Sequence, residues 1–235
     1  VSGYTDTVSS GPFDLVIFDC DGVLVDSEGI ANRVWVDALA RHGLIFTHAE
    51  FVKRAVGRTL PDLYAELLRD HAWEPPNGFD DTLNATLLAT FDRELVPVPG
   101  VRELLVRLRV PVCVASNSHQ ERLWHKLRLT GLEVFFGEAV YSAHEVPRGK
   151  PHPDLFLHAA RRAGARPERC LVIEDSVTGV TAGRAAGMTV WGFTGVGYAT
   201  PDELCEAGAV RVFADMLELA GALDGGIDGD CEARP

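Results

Sequence analysis

The stretch Phe18-Asp19-Cys20-Asp21-Gly22-Val23-Leu24-Val25-Asp26-Ser27 decides how this chain is read. The largely apolar residues from Phe13 to Phe18 predict a short buried strand. It runs into a carboxylate, Asp19, and a second one, Asp21, follows two residues later. Gly22 then lets the backbone turn sharply. Two acids at the end of a buried strand repel each other, and burial makes that repulsion worse. A divalent cation with oxygen ligands resolves the conflict, together with a substrate whose own negative charge the cation neutralises. That combination points to phosphoryl chemistry. A bare pair of aspartates could equally be a turn and a helix cap, so the longer string in its strand-then-turn setting carries the argument.

The rest of the chain sets bounds on this reading. Its 235 residues hold one large domain, or a core with a modest insertion. Apolar content of 46% and charged content of 24% are ordinary for a globular protein. A net charge of -12, from 22 basic and 34 acidic residues, argues against a nucleic-acid or anionic-membrane partner. It leaves room for an anionic small molecule, because a local cation and lysine override the global field. The five cysteines show no CxxC pair and no zinc spacing. Three of them fall in or beside predicted buried strands, and a reducing, cytoplasmic setting is expected. No run is long enough to span a bilayer, and no basic-then-apolar leader opens the chain.

Helical apolar spacing fills the stretch from about 29 to 94, with Leu60, Leu63, Tyr64, Leu67 and Leu68 as one example. Pro97-Val98-Pro99-Gly100 then punctuates the chain as a hinge would. Beyond it, helices and strands alternate. Strands are expected at 111–115, 139–141, 170–173, 189–193 and 210–213, and helices at 101–108, 120–130, 154–163, 177–186 and 216–222. Repeated βα units of this kind predict an α/β fold, a Rossmann-like doubly wound parallel sheet. The expected domains are a core of 12–28 plus 97–223 and a small helical cap of 29–96, with flexible ends at 1–11 and 224–235.

In such sheets ligands sit outside the carboxyl ends of the strands, so the polar residues there are the ones to inspect. The strand at 111–115 runs into Ser116-Asn117-Ser118, where a hydroxyl and adjacent N–H groups suit phosphate oxygens or, alternatively, cap the next helix. Lys150 lies in a proline-stiffened turn before a helix, a poor place for a merely solvated side chain. A unit charge about 4 Å from an opposite one is worth roughly 4 kcal/mol at an effective dielectric near 20. Glu174 and Asp175 follow the buried run 170–173 and supply hard oxygen donors suited to Mg²⁺.

At its opening segment the chain resembles the haloacid dehalogenase superfamily, whose first motif is DxDGxxxD. Residues 21–28 read DGVLVDSE, as in its sugar-phosphate phosphatase and β-phosphoglucomutase branches. Ser116 falls at the second motif, and Gly149-Lys150-Pro151-His152-Pro153-Asp154 is similar to the third, GKPxPD. Ile173-Glu174-Asp175-Ser176 is similar to the fourth, IEDSxxGxxAxxxAGM, through to Met188. The resemblance implies that Asp19 attacks phosphorus to give an aspartyl-phosphate. It implies that Asp21 is the acid and base, with its carbonyl also on the metal. It further implies that Lys150 bridges Asp19 and phosphate, and that Ser116, Asn117 and Gly22 line the phosphate. Mg²⁺ would sit on Asp19, Asp21 and Asp175, with Glu174 binding directly or through water. Two aspartates with different duties call for different environments: Asp19 ionised on the metal, Asp21 with a higher pKa.

The insertion at 29–96 stands where the family carries its C1-type cap, which covers the site and reads the leaving group. Within it Val56-Gly57-Arg58-Thr59 resembles the specificity loop. Gly57 would permit close approach and Arg58 would meet a second anionic group, or else simply solvate a helix start, with Lys53 and Arg54 as weaker candidates on the same face. Ala31 stands where some β-phosphoglucomutases carry a histidine, which favours hydrolysis over mutase activity. The runs 91–97 and 110–117 are similar to 6-phosphogluconate phosphatase-like members. A sugar or sugar-acid phosphate such as 6-phosphogluconate is therefore the expected substrate. The alternatives are β-phosphoglucomutase-type transfer, phosphoglycolate hydrolysis and, outside enzymes, a phospho-accepting signalling domain. A monomer is expected, with a dimer as the alternative.

Overall fold

Four buried residues in a row, Leu15–Phe18, form strand β1. The structure, a computed structural model, describes residues 12–55, 60–223, 225 and 231. Four helices follow β1 directly: α1 (Glu28–Ala40), α2 (His48–Ala55), α3 (Leu60–His71) and α4 (Phe79–Glu94). The chain then alternates through α5 (Val101–Arg107), β2 (Val112–Ser116), α6 (Gln120–Thr130), β3 (Val140–Ser142), α7 (Asp154–Ala163) and β4 (Cys170–Glu174). It finishes with α8 (Val177–Ala185), β5 (Thr189–Phe193), α9 (Pro201–Ala207), β6 (Arg211–Phe213) and α10 (Met216–Leu223).

The six strands pair in parallel in the order β3-β2-β1-β4-β5-β6, so the expected doubly wound α/β sheet is present. Side chains alternate across it. Val16 and Phe18 join a core with Leu104, Leu123 and Leu219, from helices on one face. Leu15 and Ile17 join another with Phe156, Val180 and Leu204, from helices on the other. With both faces covered, β1 and β4 read as continuous apolar runs rather than alternating ones.

The α1–α4 insertion packs around its own aromatic cluster, where Trp35 stacks on Phe51 at 5.8 Å and Trp73 meets Phe79 edge-on at 5.2 Å. Two paired chain segments join it to the sheet. Val98 N–H donates to Leu24 O at 2.9 Å, and Asp26 N–H donates to Val96 O at 3.1 Å. The Pro97 punctuation therefore lies in a short two-stranded connection, bridged between Val25 and Pro97.

Two features depart from the sequence expectations. Helix α9 was not anticipated, although Thr200 and Glu203 form a capping box and Pro201 opens the helix. Only Leu204 of α9 is buried, so there was no apolar period to find. The second departure corrects the thiol reading. Cys205 and Cys231 form a disulfide with Cα atoms 5.9 Å apart, while Cys20, Cys113 and Cys170 are buried thiols. Cys231 N–H also donates to Val210 O, so this part of the expected free tail is tied to the core. Among the described residues no helix is long and apolar enough to cross a membrane.

Candidate active site

Strand register brings the polar residues together. Phe18 pairs with Ile173 and with Val114, so Asp19 and Glu174 leave β1 and β4 at one level, beside the end of β2. Asp19 N–H donates to Ile173 O at 3.0 Å, which carries the pairing one residue past the strand. β1 is central and β4 starts the second half of the sheet, so these carboxylates stand where the strand order reverses. Such switch points form a crevice at the carboxyl edge.

Lys150 bridges the two strand ends. Its Nζ lies 2.5 Å from Asp19 Oδ1 and 2.5 Å from Glu174 Oε1, and the residue is buried. The turn that carries it is clamped by Asn117, whose Oδ1 accepts from Lys150 N–H at 3.0 Å and whose Nδ2 donates to Lys150 O at 3.1 Å. These two hydrogen bonds commit the Asn117 side chain to the lysine turn and do not involve its backbone N–H, the kind of group expected to meet phosphate. Ser116 is buried, and its Oγ accepts from Ser118 N–H at 3.2 Å. Helix α6 begins at His119 with no side-chain cap, so neither serine acts as the helix cap that sequence also allowed.

Glu174 is held on both carboxylate oxygens. Its Oε2 accepts from Asp175 N–H, Ser176 N–H and Ser176 Oγ at 3.0–3.3 Å, while Oε1 holds Lys150. Both oxygens are spoken for, and the residue is fully buried. The glycine three residues past Ser176 has a steric reason. A Cβ on Gly179 would lie 1.9 Å from the Glu174 carboxyl carbon.

Asp21 has a separate set of partners. Its Oδ1 accepts from Ser27 Oγ and from Lys126 Nζ, and its Oδ2 accepts from Ser118 Oγ at 3.0 Å. Burial pushes the Asp21 carboxyl up, but the Lys126 ammonium and the hydrogen bonds from Lys126, Ser27 and Ser118 hold it below the usual range. Asp19 moves the other way. Burial, with repulsion from Glu174 and Asp21, outweighs the pull of Lys150 and pushes it up to about 7. Among the protein's own groups the expected order is therefore reversed, with Asp19 the weaker acid.

That reversal bears on a cation. Asp175 is pushed well above the ordinary range by burial, then by repulsion from Glu174, Asp19 and Glu28. Glu28, on the first turn of α1, is pushed up to about 7 by burial and by Asp21. Among the described residues nothing donates a hydrogen bond to the Asp175 carboxylate, and no three acidic, histidine or cysteine side chains already converge as a formed metal centre. The fit is one of charge and donor type. Among the described residues Lys150 alone faces Asp19, Glu174 and Asp175 as a cation, and the free oxygens of Asp19 and Asp175 are hard donors. Gly22 completes the shape: its φ is +80°, and a Cβ there would fall 2.0 Å from Asp175 Oδ2.

A pH dependence follows. Asp19 has a folded pKa raised from 3.8 to about 7, so the native state holds that proton where the unfolded chain has lost it. Its contribution is greatest below pH 3.8 and is lost as pH rises through 7; Asp175 and Glu28 act in the same direction. With chelator present, the melting temperature is expected to fall between pH 5 and pH 7.5, and millimolar Mg²⁺ is expected to restore more at the higher pH. A melting temperature that climbs through this window in chelator, or Mg²⁺ that acts equally at both ends, would contradict the assignment.

Arg58 and Gly57 lie outside the described residues. Arg54 is not free to face a substrate, because it pairs with Glu66 at 2.6 Å and Asp70 at 3.1 Å. A contact that sequence did not suggest joins insertion to core: Asn32 Nδ2 donates to Tyr198 Oη at 2.6 Å. The loop carrying Tyr198 also packs on the site, where a Cβ on Gly197 would lie 2.8 Å from Asp175 Oδ2.

Lys126 was missed as well. The signal was a lysine inside the apolar stripe Leu123, Leu127 and Thr130 of α6, all of them buried.

Similarity to known proteins extends over most of the chain. The haloacid dehalogenase-like hydrolase family matches over residues 13–187. The chain is similar to 6-phosphogluconate phosphatase of Escherichia coli K12, 32% identical over 181 residues, covering 77% of this chain and 82% of the relative. Among solved structures it is similar to a haloacid dehalogenase-like protein of Agrobacterium tumefaciens, with TM-score 0.83, 38% identity and coverage of 90% and 98%. It is also similar to a family hydrolase of Deinococcus radiodurans with bound phosphate and sodium, with TM-score 0.79, 43% identity and coverage of 91% and 96%.

Proposed function

Because this chain belongs to the haloacid dehalogenase-like hydrolases and is a phosphatase of that type, we propose that it hydrolyses the phosphate monoester of a small carbohydrate, a sugar acid such as 6-phosphogluconate first, using Mg²⁺ and an aspartyl-phosphate on Asp19. The single observation that carries the mechanism is the Lys150 ammonium set between Asp19 and Glu174 at 2.5 Å from each. It fixes the orientation of the Asp19 carboxylate at the end of β1.

Uncatalysed phosphate monoester hydrolysis is among the slowest reactions known, and enzymes accelerate it by up to about 10²¹-fold, chiefly by positioning and charge stabilisation. Here Lys150 neutralises part of the charge on Asp19 and on the incoming phosphoryl oxygens. Ser116, buried at the end of β2, offers a hydroxyl to the same group. Asp21 serves as proton donor to the leaving alcohol and as acceptor from the attacking water. Asp19, Asp175 and the Asp21 carbonyl would hold Mg²⁺, which would supply the remaining positive charge for the Asp19 carboxylate and the phosphoryl oxygens. Clamping of the Lys150 turn by Asn117 keeps the ammonium in place without a flexible search.

The substrate class draws support from the similarity to 6-phosphogluconate phosphatase. A panel of phosphorylated metabolites assayed with Mg²⁺ and ranked by kcat/KM is expected to place sugar-acid and hexose phosphates above phosphoglycolate and nucleotides. A nucleotide or phosphoglycolate ahead by tenfold would overturn the carbohydrate assignment.

A further inference from the structure

Lys126 takes no part in the chemistry described so far, yet its side chain is only 4% exposed. Its ammonium meets Asp21 Oδ1, lies 3.5 Å from Ser118 Oγ and stands 5.4 Å from the centre of the Phe91 ring. Phe91 belongs to α4, the last helix of the insertion, so Lys126, on α6 of the core, meets the insertion as well as Asp21. The neighbouring pair makes the same crossing, since His125 on α6 contacts Asp92 on α4 at 2.8 Å.

A stability role is a poor reason for this lysine. Withdrawing an ammonium from water costs several kcal/mol, and replacing a buried ion pair with apolar side chains of similar volume is often neutral or stabilising. Leu123 and Leu127 show that this face of α6 is otherwise built for apolar residues. Besides offsetting the charge on Asp21, the ammonium has an orienting effect that no apolar residue could supply. Together with Ser27 on Oδ1 and Ser118 on Oδ2, it fixes the plane of the Asp21 carboxylate from three directions. Ser118 is itself held, because its carbonyl accepts from Ser142 Oγ at 2.7 Å.

We propose that Lys126 is a positioning residue for the proton-transferring carboxylate of Asp21, anchoring it between α6 and the insertion helix α4. The inference rests on the phosphatase reading above. In the first half-reaction an Asp19 oxygen bonds to phosphorus as the bond to the ester oxygen breaks, and the proton on Asp21 passes to that oxygen to give the alcohol. In the second, water bonds to phosphorus, its proton passes to Asp21, and the bond between Asp19 and phosphorus breaks to release phosphate. A carboxyl that wanders from its place fails the first half only where the leaving oxygen needs the proton.

That distinction sets the test. Purified full-length protein with Mg²⁺ is assayed on 4-nitrophenyl phosphate, whose leaving group departs unprotonated, and on a hexose 6-phosphate, whose alkoxide does not. Lys126→Met is expected to lower kcat/KM for the sugar phosphate by about 100-fold, the scale of one general acid, and for the aryl phosphate by only a few-fold. Lys126→Ala guards against a folding defect, with ethylammonium added to refill the space. Recovery of at least tenfold on the sugar phosphate and little on the aryl one is expected. Equal losses on both esters, or no loss in a variant with unchanged melting temperature, would overturn the role of Lys126 and leave the phosphatase reading standing. A wild-type protein inert toward both esters would sink that reading and the inference with it.

Discussion

Asp19→Asn is expected to lower phosphate release by about 10⁴-fold or more, because the amide offers no anionic oxygen to phosphorus and the covalent route closes. The substitution keeps the shape of the side chain at the end of β1, where Asp19 N–H still pairs with Ile173 O. Lys150 retains Glu174 as its partner. Stability should move the opposite way from activity. Asp19 is held in a place that pushes its pKa up to about 7, so its charge opposes folding near neutral pH among the protein's own groups. Removing that charge is expected to leave the melting temperature in chelator unchanged or higher at pH 7.5. Phosphate release is read with inorganic phosphate detection, and the covalent adduct by acid-quenched labelling of wild-type protein. A variant keeping a tenth of wild-type turnover would remove Asp19 from the chemistry altogether. A variant that is inert and also unfolded would say nothing of the nucleophile, which is why the melting temperature is part of the expected result.

Much of the core was legible because the central strands are buried on both faces and therefore read as continuous apolar runs. Helices 120–130 and 154–163 and strand 189–193 fall where the periodicity puts them. The edge strand β6 is three residues long and half-buried, and its expected start at Val210 shifts to Arg211. Asp19, Lys150 and Glu174 were visible as polar residues at strand ends or in the Pro-stiffened turn. Sequence could not assign their hydrogen-bond partners, which depend on contacts across about 130 positions of chain, as between Lys150 and Asp19. Glu174 and Asp175 look alike in sequence. In space one is held by Lys150 and Ser176, while the other faces Gly22 and Gly197 with no donor among the described residues. Asp21 shows the same limit more sharply. An acid whose task suggested a raised pKa has a lowered one, because a lysine 105 positions away is buried against it.

Lys150→Met is the second substitution with a large expected effect, and it should cost activity and stability together. The ammonium is shared by two buried carboxylates, 2.5 Å from each, so its loss leaves Asp19 and Glu174 facing one another uncompensated. Breaking a buried pair by removing one partner typically costs about 3–5 kcal/mol. Charge stabilisation at the phosphoryl group is lost at the same time, and kcat is expected to fall by about 10³-fold, within the range found when one preorganised donor is removed. Arginine is not a conservative replacement, because its planar fork cannot stand as a point charge between two carboxylates in a turn fixed by Asn117. The pH dependence separates this effect from a simple packing defect. Without the lysine, Asp19 loses the cation that lowers its pKa, so its proton is retained to higher pH and the stability deficit relative to wild type should be larger at pH 8 than at pH 5. Thermal unfolding of both proteins at the two pH values reads the difference directly. A deficit independent of pH would mean that Lys150 supports the turn by volume alone, and a variant within tenfold of wild-type turnover would remove its charge from the mechanism.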